Sequence, residues 1–197
     1  MTEPFIRRYE ADDRDDLAYV CLLTGDSGTD ARGLHRDDSI VADVFCLPYL
    51  DFAPELAFVI DDGTGTAVGY IIGVADTDAF YRWFAASWWP PLAARYPVST
   101  PPADTQDRWV LDASGPRTNE QPEYPGHLHI DMLPAAQGRG FGRALIETML
   151  DALRDRGVPG VHLGASAENT GALAFYPRVG FEALPSDGGG VTFVRRL

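Results

Sequence analysis

Lysine is absent from this chain of 197 residues, and all sixteen of its basic residues are arginine. That excludes a phosphate-binding P-loop, which needs Gly-Lys-Ser/Thr, and any Schiff-base chemistry on a lysine amine. Cysteine is scarce. Cys21 and Cys46 are too few for a disulfide framework or a four-ligand zinc site. They lie in "LAYVCLLTG" and "VADVFCLPYL" and read as buried apolar residues, so no metal is expected. No apolar run approaches the ~18 residues of a membrane span, and "MTEPFIRRYEADDRDD" has no apolar signal core. A cytoplasmic protein without a membrane partner is expected. Positive charge is in deficit, with 29 acidic residues and a net charge of −13. That balance argues against nucleic acid as a partner and tolerates a cationic substrate.

What is present reads as one globular domain, at 45% hydrophobic and 11% aromatic residues. "FIRRYEA" alternates as a first strand. "DDRDDLAYVCLLTG" opens on acidic residues, carries an apolar face and stops at Gly25, as a helix does. "DSIVADVFCLPYL" predicts a second helix, broken at Pro48. "ELAFVIDDGTGTAVGYIIGVADT" predicts a hairpin. Residues 76–126 read as an insertion or long connection: an aromatic helical segment interrupted at Pro90 and Pro91, then a proline-rich stretch with a short helix in "ADTQDRWVLDASG". The remainder predicts strand 127–133, a glycine turn, helix 141–156, strand "GVHLGAS", helix 170–176 and a final hairpin, "FEAL" with "VTFVRRL". Strand, helix and strand make a βαβ unit with a parallel pair inside an otherwise antiparallel α/β sheet.

The glycine turn is "QGRGFGR", from Gln137 to Arg143. Glycines between a parallel strand and a helix expose backbone N–H groups where the helix dipole adds positive potential, which suits a phosphate or pyrophosphate. Arg139 and Arg143 add charge-assisted donors. A dinucleotide turn, G-x-G-x-x-G, would require a third glycine that the spacing lacks. In the strand before the turn, His127, His129 and Asp131 alternate with Leu128, Ile130 and Met132. One face is therefore titratable and the other apolar.

Gln137-Gly138-Arg139-Gly140-Phe141-Gly142 matches Q/R-x-x-G-x-G/A, and "SAENTGALAFYPRVGF" adds an Asn, a helix, a Tyr and Gly-Phe. Together the two motifs resemble the GNAT-type N-acetyltransferases. The resemblance implies the GNAT fold: a mixed, mostly antiparallel central sheet with a parallel acetyl-CoA-binding βαβ unit, flanked by helices. "VCLLTGDSGTDA", "PYL", "GYIIGVADT" and "WWPPLAARYP" further resemble bacterial acetyltransferase-like proteins related to the C-terminal domain of O-GlcNAcase, a domain regarded as degenerate. No hydrolase domain is expected beside it.

By that resemblance acetyl-CoA is the co-substrate and a primary amine the acceptor, either a small molecule or a peptide, in a monomer or homodimer. A lysine-like amine, with a pKa of about 10.4, needs a base; a leaving thiolate benefits from an acid. Tyr176 matches the family's proton donor, although Pro177 directly after it predicts an end or a kink of the helix there. Asp131, then His129, are the candidate bases. The family's strand often carries a bulge, which would place the two on different faces. Main-chain groups at Met132 and Leu133, the turn residues Gln137 to Arg143, Asn169, Phe175 and Arg178 are expected around coenzyme A. Asn169 equally fits a helix cap. Asp26, Ser27, Asp30 and Tyr49 are expected at the acceptor. Trp88 and Trp89 read as core beneath the long loop rather than as pocket wall.

Overall fold

The structure is a computed structural model that describes residues 3–185 and 190–197. Seven strands form one sheet in the order β1-β2-β3-β4-β5-β7-β6. They are β1 (Phe5–Arg8), β2 (Ala57–Asp61), β3 (Ala67–Val74), β4 (Gly126–Met132), β5 (Gly160–Ser166), β6 (Glu182–Ala183) and β7 (Gly190–Arg196). Every neighbouring pair is antiparallel except β4 with β5. The turn of the final hairpin lies outside the described residues.

The β4–β5 pairing positions the site. It has only two registered pairs, Gly126↔Val161 and His127↔His162. Beyond them β4 stays with β3 as far as Met132, and β5 stays with β7 as far as Ser166. Each strand is held by its outer neighbour, so the two part and leave a wedge between them.

Helix α7 (Phe141–Arg154) covers one sheet face. Its apolar residues recur at helical spacing, and Leu145, Ile146, Met149 and Leu153 are all fully buried. Burial of each contributes about 1.5–3 kcal/mol. Gly73 makes room for Met149, whose Sδ and Cε lie 3.3 and 3.2 Å from where a Cβ would stand. The opposite face carries α1 (Arg14–Thr24), α2 (Ser39–Phe45) and α3 (Leu47–Phe52).

Several expected boundaries move. The second helix breaks at Cys46 (φ −130°, ψ −62°), not at Pro48. Pro48 instead sits in the first turn of α3, where its missing N–H is no loss. Pro90 and Pro91 likewise open α5 (Trp89–Leu92), which follows α4 (Thr77–Trp83) through a π-helical turn. The proline-rich stretch contains α6 (Thr105–Ser114), capped by Asp104. Helix α8 runs Thr170–Arg178 and takes Pro177 into its last turn, so the helix ends one residue after the proline that was expected to end or kink it. The β3–β4 register is unbroken from Gly69↔Met132 to Val74↔His127. With no bulge, His127, His129 and Asp131 share one face, the one toward α1 to α3.

Candidate active site

The turn leaves its backbone open. Gly138 (φ 71°) and Gly140 (φ 87°) are left-handed, and Gly140 caps α7. The N–H groups of residues 138–143 find no acceptor among the described residues; the first closed helical bond is Ala144 N–H to Gly140 O, 3.2 Å. A Cβ at Gly138 or Gly140 would meet nothing within 4 Å. The glycines there answer to backbone conformation and to an approaching ligand, not to packing. Gly142 differs: a Cβ would press Phe175 at 3.2 Å and Met132 at 3.4 Å. Gln137 turns back and donates to Met132 O (3.1 Å), tying the turn to β4. Arg143 donates to Arg178 O at the end of α8 (3.0 Å). The Arg139 guanidinium lies over the Phe141 ring.

The wedge presents backbone from β4. Leu133 N–H donates to Val68 O, and Leu133 O accepts from Ala136 N–H, both at 2.9 Å. Both Leu133 groups are therefore spent within the protein. Strand alternation then turns the backbone groups of Ile130 and Met132 toward β5. The carbonyl of Met132 is taken by Gln137. The N–H groups of Ile130 and Met132 face the wedge, whereas the main chain of Leu133, expected there, does not.

A cavity of about 290 Å³ opens here, lined by His129, Ile130, Asp131, Ser166, Asn169 and Tyr176 among others. Ser27 and Gly28 cross its mouth. The Ser27 hydroxyl meets Ser166 Oγ at 3.1 Å, and a Cβ on Gly28 would strike Asn169 Nδ2 at 2.9 Å. Asn169 Oδ1 accepts from Ala172 N–H, capping α8 (3.0 Å). Tyr176 is 7% exposed, between Phe175, Phe181 and Phe193. Burial, reinforced by the Asp131 charge, pushes its phenol up, so it keeps its proton at neutral pH. Burial also pushes the Asp131 carboxyl up, against the Tyr70 hydroxyl that donates to Oδ2 at 2.7 Å.

A directed chain of hydrogen bonds sits behind His129. The Thr77 hydroxyl donates to Pro125 O (2.7 Å), which can only accept. Thr77 Oγ1 therefore accepts from His127 Nδ1–H (2.8 Å). His127 Nε2 in turn accepts from the Tyr49 hydroxyl (2.7 Å), and Tyr49 Oη accepts from His129 Nε2–H (2.9 Å). His129 Nδ1 is left as a lone pair. Burial lowers both histidines, His127 strongly and His129 to about 4, so both are neutral at pH 7.

The expected acceptor residues separate. Ser27 lines the cavity. Asp26 bridges to Thr29 across the turn. Asp30 pairs with Arg32 at 2.6 Å on the surface. Tyr49 is buried behind His129, stacked on Phe80. Trp89 is core, stacked between Phe84 and Tyr96, and Trp88 donates to Asp43 O (2.8 Å). The insertion does reach the cavity, through Trp109, which packs edge-on to Phe45. Cys21 and Thr24 of α1 line it as well. Nothing in the sequence pattern joins Trp109 or Phe45 to β4. Among the described residues no cluster is placed to hold a metal ion, and no helix is long and apolar enough to cross a membrane.

The decisive comparison is with the family described as "Acetyltransferase (GNAT) family", whose profile matches residues 29–181. The chain belongs to this family. Among proteins of known structure it resembles one described as SsHAT, at 43% identity and a TM-score of 0.94, covering 99% of this chain and 98% of that one. PH1933 from Pyrococcus horikoshii, at 19% identity and a TM-score of 0.61, shares the fold. Among curated relatives, mycothiol acetyltransferase of Nocardia farcinica is 44% identical over 63 residues, 32% of this chain and 21% of that protein. The N-alpha-acetyltransferase RimI of Mycobacterium tuberculosis is 36% identical over 106 residues, 49% of this chain and 63% of that protein. The chain thus spans about a fifth of the mycothiol acetyltransferase and under two thirds of RimI.

Proposed function

We propose that this GNAT protein transfers an acetyl group from acetyl-CoA to a primary amine by direct attack, with both substrates bound together in the cytoplasm. The observation that carries the reading is that Asp131 and Tyr176 line one cavity, in the wedge beside the open N–H groups of residues 138–143. Those groups fit a pyrophosphate: donors without protein acceptors at a helix start, with no side chain in the way. Arg139 and Arg143 would add charge-assisted contacts there, and Phe175 and Arg178 would flank the coenzyme. Ile130 and Met132 N–H would hold the acetyl carbonyl and the pantetheine arm, beside Asn169. Acetyl-CoA supplies the activated thioester.

Burial makes Asp131 a stronger base and His129 a weaker one. Asp131 therefore takes the amine proton as the N–C bond forms. His129 Nδ1 accepts a hydrogen bond that aims the amine. Tyr176 gives its proton to sulfur as the C–S bond breaks. The base assignment and the acid assignment are separable by mutation. A thiol-release assay over a broad panel of amines tests the reading: release that depends on amine and on Asp131 is expected.

The resemblance of the N-terminal half to O-GlcNAcase-related proteins favours a second reading, acyl-CoA binding without turnover. Tight binding of acetyl-CoA with no thiol release on any amine would select it. The buried, protonated Tyr176 facing the cavity favours turnover.

A further inference from the structure

A second cavity, of about 360 Å³, is lined by Tyr81, Arg117, Asn119, Glu120, His162 and Thr192 among others. It adjoins the first along β5. His162 pairs in register with His127, their rings 5.6 Å apart, so both side chains leave the same sheet face. Alternation puts Gly164 and Ser166 on that face too, and both line the first cavity. Gly164 pairs directly with Thr192 of the second. A Cβ at Gly164 would meet nothing within 4 Å, so the strand offers an open floor where the two cavities meet.

At the far end stands an unmatched charge. The Arg117 guanidinium lies over the rings of Tyr81 (4.4 Å) and Phe84 (4.6 Å). Its Nη2 is buried with no hydrogen-bond partner, and Arg117 makes no ion pair among the described residues. Glu120 and Asp78 carry negative charge around Tyr81. Neither pairs with Arg117, and Asp78 accepts from Asn119 N–H at 2.7 Å. Elsewhere buried carboxylates meet arginines, as where Arg7 bridges Asp13 and Asp61 at 2.7 and 2.9 Å. A half-buried guanidinium without a partner is costly, more so in a chain with acid to spare. Its field also reaches the first cavity, where it helps depress His129.

We propose that the two cavities form one acceptor groove running over Gly164, and that the acceptor carries an oxyanion, a carboxylate or a phosphate, held by Arg117 while its amine lies at Asp131. The planar fork of arginine suits either oxyanion. His162 to Ser166 is four residues of strand, about 13 Å, so amine and oxyanion stand roughly 7–13 Å apart, the reach of a di- to tetrapeptide. The proposal deepens the acetyl-transfer reading and rests on it for which end holds the amine.

Calorimetry on the coenzyme A-saturated protein tests it without turnover. The probes are di-, tri- and tetraglycine against their C-terminal amides, and aminoalkyl phosphates against the matching amino alcohols. One anionic series should bind about tenfold or more tighter than its neutral counterpart, and the tighter series identifies the oxyanion. Arg117→Met, which keeps the apolar stem on the rings, should erase the difference. Gly164→Leu should weaken the long ligands and spare the short ones. Equal binding of anionic and neutral ligands, no binding of either, or a preference that survives Arg117→Met overturns the groove. A preference for the anion with no thiol release in the separate assay would instead strike the transfer reading.

Discussion

The two walls of the cleft, one proposed for the donor and one for the acceptor, are made of different material. The donor wall, from β4 through α8, is mostly backbone: six N–H groups of one turn and two of one strand, all within a short span of chain. The acceptor wall is side chains from five separated places: Cys21 and Thr24 of α1, Phe45 of α2, Trp109 of α6, His129 and Asp131 of β4, and Ser166 of β5. Backbone recognition requires glycines at set spacing, so it leaves a local signature. Side-chain recognition across a fold leaves none, because residues far apart in sequence meet only through the sheet order.

The difference can be broken one wall at a time. On the acceptor wall, Asp131→Asn removes the proposed base while keeping the Tyr70 contact. It should lower kcat about 10²–10⁴-fold and leave acetyl-CoA affinity near wild type by calorimetry. On the donor wall, Gly140→Asp puts a carboxylate and a positive-φ strain where the turn is barest. Acetyl-CoA should bind on the order of 100-fold more weakly, with thermal unfolding showing whether the fold survives. Tyr176→Phe, where the walls meet, should slow turnover by some tens-fold at unchanged affinity. Single-turnover kinetics measures it, and an unchanged rate removes the phenol from proton transfer.

Smaller effects concern the support behind the acceptor wall. His129 is lowered from 6.5 to about 4, so the unfolded chain binds its proton first as the pH drops. The stability this neutral ring contributes is complete above about pH 6.5 and is lost as the pH falls through 4, on the order of 3 to 3.5 kcal/mol in all. Buried Asp131, shifted the other way, offsets part of that loss. Urea unfolding at about pH 7.5 and about pH 4.5 should show a shallower pH dependence in His129→Gln than in wild type. Smallest of all, Asn169→Ala should cost about 1 kcal/mol through the lost cap of α8.

The same contrast explains what could be read in advance. The parallel βαβ unit and the turn followed from glycine spacing and helical periodicity, because those are local constraints. Helix α8 and its Asn cap were legible for the same reason, and even Pro177 proved compatible with a helix that had one residue left to run. Tyr49 was expected at the acceptor and lies behind it. "PYL" carries no trace of the two histidines 78 and 80 residues away that its hydroxyl joins. Leu133 was expected to offer backbone, yet only the register against Val68 reveals which β4 residues face the wedge. The helix carrying Trp109 was expected in "ADTQDRWVLDASG", but not its place against Phe45 of α2, which brings Trp109 to the cavity. Asp30 was expected at the acceptor by resemblance alone, and Arg32 two residues on already satisfies its charge.

The most direct test measures coenzyme A release from acetyl-CoA over a panel of primary amines, for the wild type and Asp131→Asn, with acetyl-CoA affinity determined in parallel. The account predicts amine-dependent release by the wild type, at least about 100-fold slower in the variant, with equal donor affinity in both. Release that is the same in both proteins, or tight donor binding with no release on any amine, would contradict it.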